Sequence, residues 1–135
     1  LKGKMIHKIQ SKQLQNFFHF FGILHNPQEI IANSDLVVIT SKHEGLPFAA
    51  IESLSLGTPV ITPPLGSLHE LILPGINGYL LTDSSLDSYI SSIMSVYNKE
   101  IVFKRKIVRA SLPEKFKIYY MLNKYKELLT KNEQK

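Results

Sequence analysis

Short apolar runs closed by glycine, proline or small polar residues alternate along this chain with segments of helical period. A repeat of that kind folds as α/β, with strands side by side and helices crossing between them. The clearest run is Leu36-Val37-Val38-Ile39, four consecutive apolar residues of which three are β-branched, and it predicts a central parallel strand covered on both faces. Phe17 to Phe21 is rich in aromatics and ends at Gly22, which predicts a buried strand and a turn. Thr58 to Thr62 predicts a further strand, and Tyr79-Leu80-Leu81, after the Asn77-Gly78 turn, a last strand at an edge.

Helices fill the intervals. Asn26 is placed to cap a helix carrying Ile30, Ile31 and Ala32, with Pro27 where its missing N–H is harmless. Pro47 opens the next helix, whose Ala49, Ala50, Ile51, Leu54 and Leu56 run to a stop at Gly57. Leu68 to Leu73 reads as a short helix. Leu86 to Tyr97 shows an apolar face of Leu86, Tyr89, Ile90, Ile93 and Val96 or Tyr97 behind capping residues at 82–85. Ile101 to Ala110 and Glu114 to Thr130 are the remaining helices, the second with a stripe of Ile118, Leu122, Tyr125 and Leu129, and only the last few residues read as disordered.

The 135 residues suit one domain. There is no cysteine, which excludes disulfides and thiolate chemistry, and no apolar run nears the roughly 20 residues of a membrane-spanning helix. The start lacks a secretory signal and an initiator methionine, so a fragment is expected. The net charge of +5 belongs to the tail: residues 99 to 135 carry eleven Lys or Arg against four acids. Combined with Phe116, Tyr119, Leu122 and Tyr125, that tail is either a solvated helix face or a surface for an anionic membrane, and it lacks the pattern of an RNA-binding sheet. His7, His19, His25, His43 and His69 show no metal-ligand spacing, so no metal is expected.

Ligands of a parallel sheet bind beyond the carboxyl ends of its strands, here the loops 22–26, 40–46 and 62–67. In the middle loop Glu44 and Gly45 precede a helix whose first N–H groups point free donors at one place, an arrangement that attracts phosphate. Glu52 follows on that helix. A carboxylate accepts two hydrogen bonds at once and is suited to gripping vicinal hydroxyls, which makes one acid for a sugar and one for a ribose a sensible division.

SKHEGLPFAAIESLSLGTPVI, followed by GSLHELI and GINGYLL, resembles the nucleotide-binding half of retaining GT-B glycosyltransferases of the glycosyltransferase 4 type, the group 1 glycosyltransferases. Glu44 and Glu52 fit that family's E-x7-E motif, Gly57, Pro59 and Val60 its G-x-PV strand entry, and Glu70 its G-G-x-P-E position; the specific likeness covers residues 41 to 81 and a looser one about Gly3 to Tyr97. The resemblance implies a Rossmann-like parallel sheet, the C-terminal half of a GT-B fold, and transfer of a sugar with retention from a UDP- or GDP-linked donor to a glycan or lipid-linked acceptor, without a metal or other cofactor. By the same likeness Glu44 is the catalytic-position acid facing the donor sugar, and Glu52 holds the ribose hydroxyls. The N–H groups of Gly45, Leu46 and Phe48 cradle sugar and diphosphate, and Gly22 and Ile23 sit near the base; His43, from its place next to Glu44, is a candidate contact to sugar or phosphate.

Ser67 and His69 depart from the family's second glycine and proline, and Ser53 from its usual alanine. The acceptor half and the basic diphosphate clamp would lie before Leu1, with Lys2 and Lys4 in a loop around Gly3 rather than in the clamp, so the chain is expected to be truncated and inactive alone. Residues 1–98 are then a partial donor-binding domain and 99–135 helices packing on it or on the missing half. Such enzymes serve polysaccharide, lipopolysaccharide or capsule biosynthesis in the cytoplasm, with a peripheral contact at the inner membrane face as an option. A non-catalytic nucleotide-sugar-binding module or gene remnant, and a flavodoxin-like phosphate binder, remain the alternatives.

Overall fold

A computed structural model describes residues 2–132. Its centre is a three-stranded sheet in the order β1 (Val37–Val38), β2 (Val60–Thr62), β3 (Gly78–Leu80), and both pairings are parallel, Val37 opposite Val60 and Val60 opposite Gly78. Parallel neighbours need crossovers, which the helices supply. Helix α3 (Phe48–Ser55) joins β1 to β2, and a 3-10 turn at Gly66–Glu70 stands where β2 crosses to β3. Helices α1 (Lys2–Ser11) and α2 (Gln28–Asn33) precede the sheet. After it come α4 (Leu86–Tyr97), α5 (Arg105–Ala110) and α6 (Ile118–Asn132), with 3-10 turns at Gln15–Phe17 and Glu114–Phe116.

The core gathers Ile39 and Val60 from the sheet, Ala50 and Leu54 from α3, Leu68, Leu71 and Ile72 from the second crossover, and Val108 and Leu112 from the C-terminal part. Helix α5 is pinned as well as packed. Arg105 donates to the carbonyls of Ala32 (2.7 Å) and Ser34 (2.5 Å) and to the Thr58 hydroxyl (3.2 Å), and Arg109 Nε donates to the Ser55 carbonyl (2.8 Å). Gly57, at φ +83°, allows this approach, because a β-carbon there would lie 2.8 Å from the Arg105 carbonyl oxygen.

Several expectations need correction. Phe17 to Phe21 is not a buried strand: Phe17, Phe18, Phe20 and Phe21 are exposed and the segment is irregular after the Gln15–Phe17 turn. An apolar run becomes a strand only beside another strand, and no described strand adjoins it. Of Leu36 to Ile39 only Val37–Val38 form β1, at the sheet's edge, and Val38 stays 37% exposed; β2 is the strand buried on both faces. A run of β-branched residues marks a strand without fixing its place in the order. Lys2 and Lys4 lie on α1, not in a loop. Asn26 does not cap α2, because Pro27 occupies the cap position.

The helical expectation at Leu68 to Leu73 becomes the 3-10 turn, that at Ile101 to Ala110 shortens to α5, and that at Glu114 to Thr130 splits at Lys117, whose backbone is extended. Helix α4 has the expected bounds and its cap, Ser85 Oγ accepting from the Ser88 N–H at 3.2 Å. Of its apolar face only Tyr89, Ile93 and Val96 turn inward, while Leu86, Ile90 and Tyr97 are exposed. The residues read as disordered at the extreme C-terminus lie outside the described ones.

Candidate functional site

The loops that follow β1 and β2 lie at the carboxyl edge of the sheet, 40–46 after β1 and 63–67 after β2. They are clasped together. The Ser67 N–H donates to the Gly45 carbonyl at 3.0 Å, and Gly66 sits so close behind that a β-carbon on it would lie 1.8 Å from the Gly45 oxygen and 2.6 Å from that of Glu44. Gly66 also has φ +45°, which favours glycine. The clasp uses the backbone of residue 67, so serine serves there as well as glycine.

Pro47 caps α3 with extended backbone and is itself buried, which sets Gly45, Leu46 and Phe48 at the free end of the helix. None of their three N–H groups meets an acceptor among the described residues. His43 and Glu44 are exposed at the loop tip, Phe48 is exposed at the first helical position, and Glu52 is half-buried one turn further along α3. Neither carboxylate is engaged by a hydrogen bond or ion pair among the described residues. The neighbouring Ser53 is buried and satisfied, its hydroxyl donating to the Ala49 carbonyl at 2.5 Å.

Gly22 (φ +69°) and Ile23 (97% exposed) follow the irregular aromatic segment, and no hydrogen bond among the described residues ties them to loop 40–46. The structure therefore brings together residues 43–48, 66–67 and the start of α3, and leaves 22–23 unattached to them. One further support escaped the sequence reading. Tyr89, read as one of an apolar stripe, donates its hydroxyl to the Ile39 carbonyl at 2.9 Å and anchors the strand end from which the loop springs; burial pushes its phenol up. Lys42 is an exposed cation of that loop.

Glu70 ends the 3-10 turn that carries Gly66 and Ser67, and it is ion-paired with Lys115. The Lys115 hydrogen bond, and then its charge, hold the Glu70 carboxyl below its ordinary value. A depressed carboxylate adds stability that is complete above its unfolded pKa and is lost as pH falls through the folded one. The stability difference between wild type and Glu70→Gln is therefore expected at neutral pH and to vanish in acid, as read by urea titration across pH. An acid limb unchanged by the substitution would refute this role. The pair is exposed, so the effect is small.

A parallel sheet covered by helices, with its two clasped loops at the carboxyl edge, is the architecture of one half of a GT-B glycosyltransferase. The chain superposes on the lipopolysaccharide outer core galactosyltransferase WaaB with a TM-score of 0.80 at 22% identity, over 96% of this chain and 38% of that one. Anabaena HepE, solved in complex with UDP and glucose, gives 0.78 at 22% identity, over 96% of this chain and 36% of that one. The family model described as glycosyl transferases group 1 matches residues 2–115. The chain belongs to that family.

Among curated relatives, lipopolysaccharide 1,6-galactosyltransferase of Salmonella typhimurium is 27% identical over 97 residues, 71% of this chain and 27% of its own length. The poly(ribitol-phosphate) alpha-N-acetylglucosaminyltransferase of Staphylococcus aureus is 26% identical over 132 residues, 95% of this chain and 27% of its own length. The chain thus spans about a quarter of the length of these relatives.

Proposed function

We propose that this chain is the donor-binding part of a retaining glycosyltransferase of the glycosyltransferase 4 type, taking a sugar from a nucleotide diphosphate and passing it to a glycan or lipid-linked acceptor. The observation that carries the reading is the clasp between Ser67 and Gly45, which holds the free N–H groups of Gly45, Leu46 and Phe48 beside Glu44 at the head of α3. Those donors suit the charge that grows on a departing diphosphate, and fixed dipoles of this kind are effective because they need no reorganisation as the charge develops. Glu44 faces the donor sugar and His43 touches sugar or phosphate. Glu52 holds the ribose hydroxyls, and Gly22 and Ile23 lie near the base.

Residues 1–98 form the partial donor domain in this reading, and 99–135 the helices that pack on it or on the acceptor half. The acceptor half, which completes the enzyme, is the expected partner, and the isolated chain is expected to be inactive. The neighbour solved with UDP and the galactosyltransferase relatives favour a UDP-linked hexose over a GDP-linked one. The relatives named for lipopolysaccharide and poly(ribitol phosphate) support a polymeric or lipid-linked acceptor, and the setting that goes with this reading is cytoplasmic.

Glu52→Gln is expected to weaken nucleotide binding by about 10- to 100-fold, the range for hydrogen bonds to a charged group, without altering the melting temperature. Ligand-observed NMR against UDP, GDP and their sugars measures it. Unchanged affinity would remove Glu52 from the site, and a well-folded chain that binds no nucleotide at all would remove the reading for the isolated chain.

A further inference from the structure

We infer that Tyr89 is a positioning residue for donor binding, its hydroxyl fixing the root of loop 40–46, whose far end presents the N–H groups of Gly45, Leu46 and Phe48. The consequence rests on the donor-site reading, while the cause lies inside the sheet. β1 and β2 pair with Val37 opposite Val60 and Val38 opposite Ile61. The Val37 N–H donates to the Pro59 carbonyl and the Ile39 N–H to the Ile61 carbonyl, both at 2.9 Å. In such a parallel ladder the carbonyl of the same residue turns to the N–H two residues beyond that acceptor. For Ile39 the register calls on Pro63, which has no N–H to give. Pro63 is fully buried and Ile39 only 8% exposed, so the carbonyl left over sits where water has little access. A buried carbonyl in that position needs another donor.

Tyr89 supplies it, reaching the Ile39 carbonyl at 2.9 Å from fifty residues further along the chain. The first turn of α4 holds the ring in place. Asp83 Oδ1 accepts from the Ser85 N–H at 2.8 Å and from the Ser88 hydroxyl at 2.7 Å, next to the Ser85 cap. Burial pushes the phenol up, so the hydroxyl keeps the proton that it donates. Among the described residues the backbone from Thr40 to Glu44 makes no other hydrogen bond. The loop is therefore fixed at its root by Tyr89 and at its tip by the bond from Ser67 to Gly45, and its course between them follows from those two anchors. A segment with so few bonds opens locally when one anchor is lost.

Tyr89→Phe removes the hydroxyl and keeps the ring. In the purified chain without nucleotide, amide exchange at Ile39 and Ser67, the donors that flank the loop, is expected to become at least about tenfold faster. Val60 and Leu81, which donate to the Asn77 and Thr62 carbonyls on the far side of β2, should keep their wild-type rates. UDP affinity by ligand-observed NMR should fall by about 3- to 10-fold. Adding Pro63→Ala to Tyr89→Phe returns an N–H to the ladder position and is expected to slow Ile39 exchange again. Equal acceleration at all four amides would overturn the inference, because it would make Tyr89 a support of the whole sheet. Wild-type exchange at Ile39 and Ser67, an Ile39 as fast in the double variant as in Tyr89→Phe, or unchanged UDP affinity would overturn it too. Absence of UDP binding by the wild type would instead overturn the donor-site reading, and the exchange rates would still decide whether Tyr89 anchors the loop.

Discussion

Gly66→Ala is expected to lower the melting temperature by about 10 °C and to weaken nucleotide binding at least about tenfold. The added methyl group would sit 1.8 Å from the Gly45 carbonyl oxygen and 2.7 Å from its carbon, distances that backbone atoms cannot relieve without parting the two loops. Parting them breaks the 3.0 Å bond from the Ser67 N–H, worth about 1 kcal/mol, and alanine held at φ +45° adds roughly another 1–2 kcal/mol of strain. A total of about 2–3 kcal/mol in a domain of this size accounts for the shift in melting. The loss of binding has a separate cause. Gly45 is the residue through which the second loop fixes the first, and an unclasped loop no longer holds the N–H groups of Gly45, Leu46 and Phe48 in one direction. Gly45→Ala is the control for stability, since a β-carbon there meets nothing within 4 Å, and it should melt like wild type. Equal melting of the two glycine variants would show that the loops are not held at this point.

The course of the chain from β1 through α3 to β2 was readable because each boundary has a local cause. Pro47 closes the loop, the apolar residues of α3 recur at helical spacing, Gly57 takes a positive φ, and Val60 and Ile61 can only be inside. Helix α4 was readable for the same reason, with Ser85 as its cap. What misled was hydrophobicity without a neighbour. Phe17 to Phe21 carries as strong an apolar signal as any segment here, yet burial is a property of two surfaces, and the second is not among the described residues. Val38 makes the same point from inside the sheet, where strand order, which no local pattern encodes, decides exposure.

The candidate site was legible in its side chains and illegible in its supports. Glu44 and Glu52 stand out because an acid beside a glycine at a helix start is chemically pointed, and their spacing is part of the resemblance drawn from the sequence. The contribution of Gly66 depends on an approach of two loops that are about twenty residues apart in sequence, and that of Tyr89 on a bond to Ile39 fifty residues away. Neither is visible in any window of sequence. Asn77 is the sharpest case, since Asn-Gly is a turn signal by composition and the structure gives it a second use.

Asn77 is fully buried and satisfied on every side. Its Oδ1 accepts from the Leu73 N–H at 2.7 Å, and its Nδ2 donates to the Leu71 carbonyl at 3.1 Å and to the Ser111 hydroxyl at 2.9 Å; its own carbonyl accepts from the Val60 N–H at 3.1 Å. The side chain therefore ties the second crossover to the end of α5, and the backbone of the same residue ties them to the sheet. Asn77→Leu keeps the volume but strands the Leu73 N–H and the Leu71 carbonyl, at about 1–3 kcal/mol each, so a loss of roughly 3–5 kcal/mol is expected in urea unfolding. Asn77→Asp separates charge from shape. It retains the acceptor for Leu73, but turns a second oxygen toward the Leu71 carbonyl in a buried place, which disfavours ionisation and raises the folded pKa above the unfolded value of about 3.9. Between those two values the folded state binds more protons than the unfolded one, so stability falls as pH rises through them and is flat above. The deficit of Asn77→Asp relative to wild type should accordingly shrink on acidification, while that of Asn77→Leu should not. Parallel deficits at all pH values would mean that the Asn77 amide is not the donor to Leu71 and Ser111 that joins the second crossover to the end of α5.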